Sequence, residues 1–213
     1  MKKDLTQLVF ILDKSGSMQG LESDTIGGFN SLIEKQKKEP GEANVTTVLF
    51  DDEVEVIHDN IRLEEVPLLT DNEYYIGGCT ALLDAVGETI TNIIDARKDI
   101  PEDEHPDKTV IVITTDGMEN ASREYNYFKI KSLIKEKEKE GWIFIFLGAN
   151  IDAGVEAHRM GINKKHAANF NCDSESIDIN FDTLDEAIKS IRVSHELPDT
   201  WSCKIDANYK KRK

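Results

Sequence analysis

The sequence has few cysteines and no long apolar run, and each of these absences argues against a class of protein. The three cysteines, Cys79, Cys172 and Cys203, are odd in number and widely separated. This spacing supports neither a disulfide framework nor a thiolate zinc cluster, and it fits a reducing compartment. The longest apolar stretches, such as residues 143–147, are far shorter than the roughly twenty residues of a membrane helix. We therefore expect no segment that spans a membrane.

The N-terminal residues do not have the pattern of a secretory signal. Two lysines start the chain, but Asp4, Thr6 and Gln7 then interrupt the apolar region that a signal peptide requires. The same residues are needed as the beginning of a first strand. The sequence therefore predicts a cytoplasmic protein without a signal peptide.

Basic residues are in deficit. The chain has 41 Asp and Glu against 26 Lys and Arg, a formal net charge of −15, which repels phosphate backbones and argues against a nucleic-acid partner. The one basic cluster ends the chain and is interpreted as a solvated tail; it comprises Lys210, Lys211, Arg212 and Lys213. The five histidines never occur four residues apart within one predicted helix, which argues against a histidine metal site.

The most informative segment is LVFILDKSGSM, residues 8–18. Five consecutive apolar residues, two of them β-branched, predict a strand buried on both faces. Asp13, Ser15 and Ser17 then follow at alternate positions, where that strand should end. One carboxylate and two hydroxyls at the open end of a parallel sheet are oxygen ligands suited to a hard divalent cation. The same residues also fit a helix cap, so this segment alone leaves both interpretations open.

Two further segments, distant in sequence, favour the metal interpretation. Residues 109–120, TVIVITTDGMEN, repeat a buried strand followed by a polar turn that starts at Asp116. Between the two strands, residues 74–86 read YYIGGCTALLDAV. Gly77 and Gly78 permit unusual backbone angles there, and Thr80 stands immediately before an apolar helical pattern. The chain thus offers oxygen ligands in three separate turns.

Strands and helices alternate along the rest of the chain. The predicted strands cover residues 8–12, 43–50, 54–61, 110–113, 142–147 and 166–170, and the predicted helices cover residues 21–38, 81–97, 127–139, 152–160 and 184–195. The second and third strands form an edge hairpin, and Thr183 with Glu186 has the capping-box spacing for the last helix. A chain of 213 residues without internal repeats or linkers is suited to one domain. The alternation predicts a single doubly wound α/β sheet.

Asp13-x-Ser15-x-Ser17, Thr80 and Asp116-Gly resemble the metal-ion-dependent adhesion site of von Willebrand factor type A domains. All five motif positions are filled, and the strands and helices around them occur in the expected order. The segments IGGFNSLIEKQ and FIFLGANIDA are similar to bacterial and phage-encoded stand-alone members of that family. The resemblance implies a three-layer, mostly parallel six-stranded sheet of order 3-2-1-4-5-6 with one antiparallel edge strand. It places the type A domain at residues 1–196 and leaves residues 197–213 as a partly basic C-terminal tail.

The resemblance also implies how the site works. In the ligand-bound form of type A domains, the hydroxyls contact the metal directly and the aspartates act mainly through water. Ser15, Ser17 and Thr80 match the first group, and Asp13 and Asp116 match the second. Octahedral geometry with retained waters suits Mg²⁺ or Mn²⁺ better than Ca²⁺. Neutral hydroxyls leave the ion able to attract an anionic ligand, so we expect a partner protein that presents an Asp or Glu, and no enzymatic activity.

Two other functions compete with this interpretation. A magnesium-dependent phosphohydrolase would use Asp13 as nucleophile or a metal-activated water. Such phosphatases commonly place a second aspartate two residues after the first, where this chain has Ser15, and Glu119 is the one nearby candidate base, although an exposed or helix-capping role suits it better. Nucleotide binding is less well supported, because neither Gly16 nor the Gly77-Gly78 pair completes a three-glycine pattern.

Overall fold

A computed structural model describes residues 2–211, with side chains from residue 4 onward. Its centre is one six-stranded sheet of order β3-β2-β1-β4-β5-β6. The strands are β1 (Lys2–Asp13), β2 (Glu42–Phe50), β3 (Val54–Arg62), β4 (Pro106–Thr115), β5 (Ile143–Ala149) and β6 (Ala167–Phe170). Only the β2–β3 pair is antiparallel. The predicted strand order and antiparallel edge are confirmed.

Helices cover both faces of the sheet and complete the predicted three layers. They are α1 (Glu22–Gln36), α2 (Leu82–Lys98), α3 (Tyr127–Lys139), α4 (Ala153–Met160), α5 (Ser174–Ser194) and α6 (Cys203–Lys210). One core cluster joins the sheet to α1, α5 and α6, and the other joins it to α2, α3 and α4. Among residues 2–211, no helix combines the length and the apolar character needed to cross a bilayer.

Strand β1 is buried on both faces, as its continuous apolar run predicts. Leu8 and Phe10 belong to the core cluster under α1 and α5, whereas Val9 and Ile11 belong to the cluster under α2. All four side chains are 0% exposed, because successive side chains of a strand point to opposite faces and each face is covered by helices. This rigid central strand leads directly into the turn that starts at Asp13.

The predicted start of the last core helix is wrong. Helix α5 begins ten residues before the expected residue 184, and its N-cap is Asp173, whose side chain accepts a hydrogen bond from Ser176 N at 2.9 Å. Thr183 is 1% exposed, and its Oγ1 has no hydrogen-bond partner, so the predicted capping box is absent. The apolar stripe simply continues upstream through Ile177 and Phe181, at helical spacing from Leu184.

The C-terminal segment predicted as a tail is also different. It contains helix α6, with Trp201 and Ile205 buried in the core cluster under α5. Trp201 Nε1 donates a hydrogen bond to Lys165 O at 2.8 Å. Trp201 and Ile205 are at the i, i+4 spacing of a helix, but two apolar positions in a short, polar segment are too few for a reliable helical signal. Of the basic cluster, Arg212 and Lys213 lie outside the described residues.

His58 of β3 is buried between the sheet and α1. Its ring stacks on Phe29 with centroids 6.3 Å apart, and its Nδ1 lies 2.9 Å from Thr47 Oγ1. Burial lowers the pKa of His58, while the charge of Glu73 acts weakly in the opposite direction. The folded protein therefore holds this imidazole in its neutral form.

Acid should weaken the fold partly through His58. Because the folded pKa is below the unfolded value, this neutral histidine contributes stability above about pH 6.5, and the contribution is lost as the pH falls below that value. We expect the stability advantage of the wild type over His58→Asn to shrink between pH 7 and pH 5. Urea unfolding in EDTA at each pH measures the free energy of unfolding of both proteins. His158→Asn, at an exposed position on α4, is the matched control; an advantage independent of pH would contradict the prediction.

Candidate metal centre

Three loops meet at the carboxyl edge of the sheet, beside the neighbouring strands β1 and β4. The loop after β1 is joined to the loop before α2 by two backbone hydrogen bonds, Gly16 N to Gly78 O at 3.3 Å and Gly77 N to Lys14 O at 3.0 Å. Gly78 has φ +62°, and a Cβ there would lie 1.8 Å from Asp52 Oδ1, so this approach requires glycine. The crevice lies at the topological switch point, where doubly wound sheets bind ligands.

The three predicted hydroxyls form one continuous chain at this crevice. Thr80 Oγ1 lies 3.2 Å from Ser15 Oγ, and Ser15 Oγ lies 3.1 Å from Ser17 Oγ. Ser17 Oγ in turn donates to Asp116 Oδ1 at 2.5 Å. Residues separated by up to 99 positions in the sequence are thus within hydrogen-bond distance of one another. The structure brings four of the five predicted ligands directly together.

Asp13, the fifth predicted ligand, lies behind the chain of hydroxyls. Its two carboxylate oxygens accept hydrogen bonds from opposite sides. Its Oδ2 accepts a hydrogen bond from Thr115 Oγ1 at 2.5 Å, and its Oδ1 accepts one from Ser15 N at 2.7 Å. The side chain is 1% exposed. Burial raises the pKa of Asp13 to about 6, against the hydrogen bonds from Thr115 and Ser15, and the nearby charge of Asp116 also raises it. A cation at the crevice would compensate both buried carboxylates.

Asp116 is equally buried and is positioned by residues that the sequence did not indicate. Its Oδ2 accepts a hydrogen bond from Cys172 Sγ at 3.5 Å, and Asn150 Nδ2 donates to its backbone oxygen at 3.2 Å. Burial raises the pKa of the Cys172 thiol to about 12, and the charge of Asp116 contributes to the rise. The thiol therefore acts as a neutral hydrogen-bond donor to the carboxylate.

Further contacts fix the positions of Asp13 and Thr80. Tyr74 OH donates to Asp13 O at 2.5 Å, and burial raises the pKa of that phenol. Thr80 N donates to Asn120 Oδ1 at 2.9 Å, while Asn120 N donates to Thr80 O at 3.0 Å. Of the supporting residues, Thr115 has a sequence signal because it immediately precedes Asp116. Tyr74 and Asn120 have none, since only the folded backbone brings them near.

Glu119 acts as a helix cap. Its Oε2 accepts a hydrogen bond from Leu83 N, in the first turn of α2, at 2.9 Å. Its Oε1 accepts hydrogen bonds from Ala121 N at 3.0 Å and Ser122 N at 2.8 Å, and Ser122 Oγ donates to Oε2 at 2.7 Å. Both oxygens are therefore engaged, and the capping interpretation of Glu119 is confirmed.

The donor set and the space around it fit a divalent cation. Within residues 2–211 no group of three or more His, Cys, Asp or Glu is arranged to hold a metal, so a cation here depends on the three hydroxyls. Gly117 leaves room beside them, because a Cβ at this position would lie 3.2 Å from Thr80 Oγ1 and 3.3 Å from Ser17 Oγ. The hydroxyls therefore surround a space that one methyl group would crowd.

Gly117→Ala should weaken Mg²⁺ binding by about tenfold while the fold is kept. The added methyl would press on Thr80 Oγ1 and Ser17 Oγ, two of the hydroxyls that would hold the ion. Calorimetric titration with Mg²⁺ measures the affinity, and a ratio of ten corresponds to about 1.4 kcal/mol. Gly154→Ala is the matched control, since a Cβ there meets Asp152 Oδ1 at an ordinary 3.5 Å. Equal Mg²⁺ affinity in both variants would place the ion elsewhere.

The fold and the site together define a doubly wound α/β domain with a hydroxyl and carboxylate centre at its switch point. The sequence profile described as von Willebrand factor type A domain matches residues 7–187. The chain belongs to this family. A comparison with curated protein sequences finds no significant match.

Solved structures from several organisms have the same fold. The type V pili tip protein Mfa5 of Porphyromonas gingivalis has a TM-score of 0.63 at 10% identity, with 91% of this chain and 98% of that vWF domain covered. Proximal thread matrix protein 1 of the mussel byssus, described with a zinc-occupied MIDAS motif, has a TM-score of 0.59 at 15% identity, with 86% of this chain and 46% of that chain covered. This chain thus spans less than half the length of the mussel protein.

A third structure is the manganese-loaded TRAP protein of Plasmodium vivax. Its TM-score is 0.56 at 15% identity, with 85% of this chain and 74% of that chain covered. At these identities the three similarities establish the shared fold.

Proposed function

We propose that this chain is a metal-dependent protein-interaction domain, which binds a divalent cation at the crevice and, through it, a carboxylate of a partner protein. The observation that carries the proposal is the hydroxyl chain of Ser15, Ser17 and Thr80, which ends on Asp116 with Asp13 behind it. In this arrangement the hydroxyls bind the ion directly, and the two carboxylates act through water. The zinc and manganese named for two structurally similar proteins support a divalent cation.

The choice of ligands explains why an acidic partner is preferred. Neutral hydroxyls stabilise the ion without cancelling its charge, so the bound ion supplies a concentrated positive charge for an incoming anion. Oxygen-only ligands favour Mg²⁺ or Mn²⁺ over softer metals. Because both oxygens of Glu119 are engaged in capping, the one base that the sequence offered for phosphohydrolysis is occupied, which favours binding.

The partner's surface must meet an acidic domain. The net charge of −15 repels a generally acidic partner at long range. We therefore propose that a single Asp or Glu side chain enters the crevice, surrounded by basic or neutral surface. Met118, which follows Gly117 at the site, is 71% exposed and offers an apolar contact beside the ion.

Selection of binding peptides from a random display library tests this function directly. Selection in Mg²⁺ with elution by EDTA should enrich peptides that carry an Asp or Glu. Replacing that residue by Asn or Gln should abolish binding, and rising salt should weaken it. Peptides that bind equally in EDTA, or that keep their affinity without any acidic residue, would contradict the proposal.

Hydrolysis of p-nitrophenyl phosphate in Mg²⁺ tests the competing function with the same protein. We expect no turnover above the buffer rate. Turnover that is present in the wild type and absent in Asp116→Ala would replace the interaction function with a metal-dependent phosphohydrolase.

A further inference from the structure

Two loops that supply none of the proposed ligands converge on Asp116 at the metal centre. Asn150, directly after β5, donates through its Nδ2 to Asp116 O at 3.2 Å. Its backbone lies in the left-handed region, with φ +55°, a conformation that asparagine adopts more readily than most residues with side chains. Cys172 directly precedes Asp173, the N-cap of α5, so the start of that helix fixes its position. Different loops thus hold the backbone and the side chain of Asp116.

The contact of Cys172 is with the carboxylate itself. Its Sγ donates to Asp116 Oδ2 at 3.5 Å, while Ser17 Oγ donates to Asp116 Oδ1 at 2.5 Å. Each oxygen of this carboxylate therefore already accepts one hydrogen bond. A carboxylate has about four acceptor positions, so each oxygen of Asp116 can still accept a further hydrogen bond from a water molecule on an ion.

Asp13 has the same arrangement, but its donors are local. Its two oxygens accept hydrogen bonds from Ser15 N, in its own turn, and from Thr115 Oγ1, on the neighbouring strand β4. At Asp116, by contrast, the second donor is one side chain from a loop 56 positions away. A single substitution of Cys172 therefore frees a carboxylate oxygen without altering any of the five proposed ligands.

Mg²⁺ and Ca²⁺ make different demands on a carboxylate. Ca²⁺ takes about 6–8 oxygen ligands in a flexible geometry and often binds both oxygens of one carboxylate, whereas Mg²⁺ requires an octahedral shell and retains several waters. For Asp116 to bind an ion through both oxygens, the thiol would have to leave Oδ2. With both oxygens engaged, Asp116 is suited to an ion that it contacts through water.

We propose that Cys172 is a positioning residue that sets the metal preference of this centre: its thiol holds Asp116 Oδ2, keeps the carboxylate from chelating the ion, and so favours Mg²⁺ over Ca²⁺. Cys172 is not a ligand, because it acts through Asp116. The inference rests on the proposed function, since it requires an ion at the hydroxyl chain of Ser15, Ser17 and Thr80. It adds to that function a reason for selectivity between ions of the same charge.

Calorimetric titrations of the metal-free protein with Mg²⁺ and with Ca²⁺, in a reducing buffer, test this role through the ratio of the two dissociation constants. The wild type should bind Mg²⁺ more tightly. Cys172→Ala removes the donor from Asp116 Oδ2, so the preference for Mg²⁺ over Ca²⁺ should fall by about fivefold. Cys172→Val also lacks a donor but fills the space of the thiol, and it should give the same change if the alanine variant does not fold.

Two further variants separate the hydrogen bond from packing. Cys172→Ser keeps a donor at this position and should retain the wild-type preference, and Cys203→Ala, at an exposed position of α6, is the matched control. A loss of packing alone would weaken both ions in proportion. An unchanged ratio in the variants without a donor, or a wild type that prefers Ca²⁺, would overturn the role of Cys172 alone. A wild type that binds neither ion would overturn the proposed function as well.

Discussion

Mg²⁺ binding is expected to disappear from calorimetric titrations of the Asp116→Ala variant. Asp116 accepts the hydrogen bond of Ser17, one of the three hydroxyls proposed to hold the ion, and it supplies one of only two carboxylates at the centre. Replacing Asp116 by alanine removes a negative charge from the centre and leaves the Ser17 hydroxyl without its hydrogen-bond acceptor. Asp13→Ala should have the same effect, because Asp13 holds the backbone of Ser15. Both variants should unfold cooperatively, since the crevice lies at the edge of the sheet, outside the two apolar clusters.

Thermal unfolding provides a second readout of the same prediction. An ion that binds only the folded protein stabilises it by about 2.7 kcal/mol at one hundred times its dissociation constant. Wild-type protein should therefore melt at a higher temperature in Mg²⁺ than in EDTA, and Asp116→Ala should not. Asp178→Ala, at an exposed position of α5, is the matched control. Wild-type Mg²⁺ affinity in both Asp13→Ala and Asp116→Ala would remove the metal centre from this crevice.

The sequence predicted the ligand candidates because they follow strands with unmistakable patterns. The apolar runs of β1 and β4 are continuous, and the polar residues after them stand where a parallel sheet must open. Thr80 was predicted by its place between two glycines and a helix. These signals are local, so a single sequence shows them clearly.

No local pattern in the sequence indicates the residues that support the metal centre. Cys172 contacts Asp116 from 56 positions away, and Tyr74 contacts the backbone of Asp13 from 61 positions away. Neither contact follows from periodicity or turn chemistry, since each depends on how loops pack after the sheet has formed. Such supporting groups determine how firmly the ligands are held.

The helices also differ in how far local sequence patterns determine their bounds. Helix α3 was predicted at its exact bounds, residues 127–139, because its apolar stripe and the following Gly141 are both local. Helix α5 was predicted to start ten residues too late, because Thr183 and Glu186 imitate a cap in the middle of a continuous helix. What selects the longer helix is burial: Ile177 and Phe181 join the core beneath it.

Two adjacent glycines of α1 should respond in opposite directions to the same substitution. Gly28 packs against α5, and a Cβ there would lie 2.1 Å from Phe181 Cδ2 and 2.8 Å from Cγ and Cε2 of the same ring. The whole ring must move, so Gly28→Ala should lower the free energy of unfolding by about 1–3 kcal/mol. Gly27 is exposed, and a Cβ there meets no atom within 4 Å. Gly27→Ala should therefore stabilise the helix by about 0.5–1 kcal/mol.

Urea unfolding of the two variants measures the difference, and a double-mutant cycle identifies its cause. If the ring of Phe181 is the obstacle, Gly28→Ala should cost little or nothing in a Phe181→Ala background, because the substitution has removed the atoms that the methyl group would meet. The coupling free energy then reports the contact between α1 and α5 directly. A loss from Gly28→Ala that persists in the Phe181→Ala background would show that the two helices are not packed through this pair.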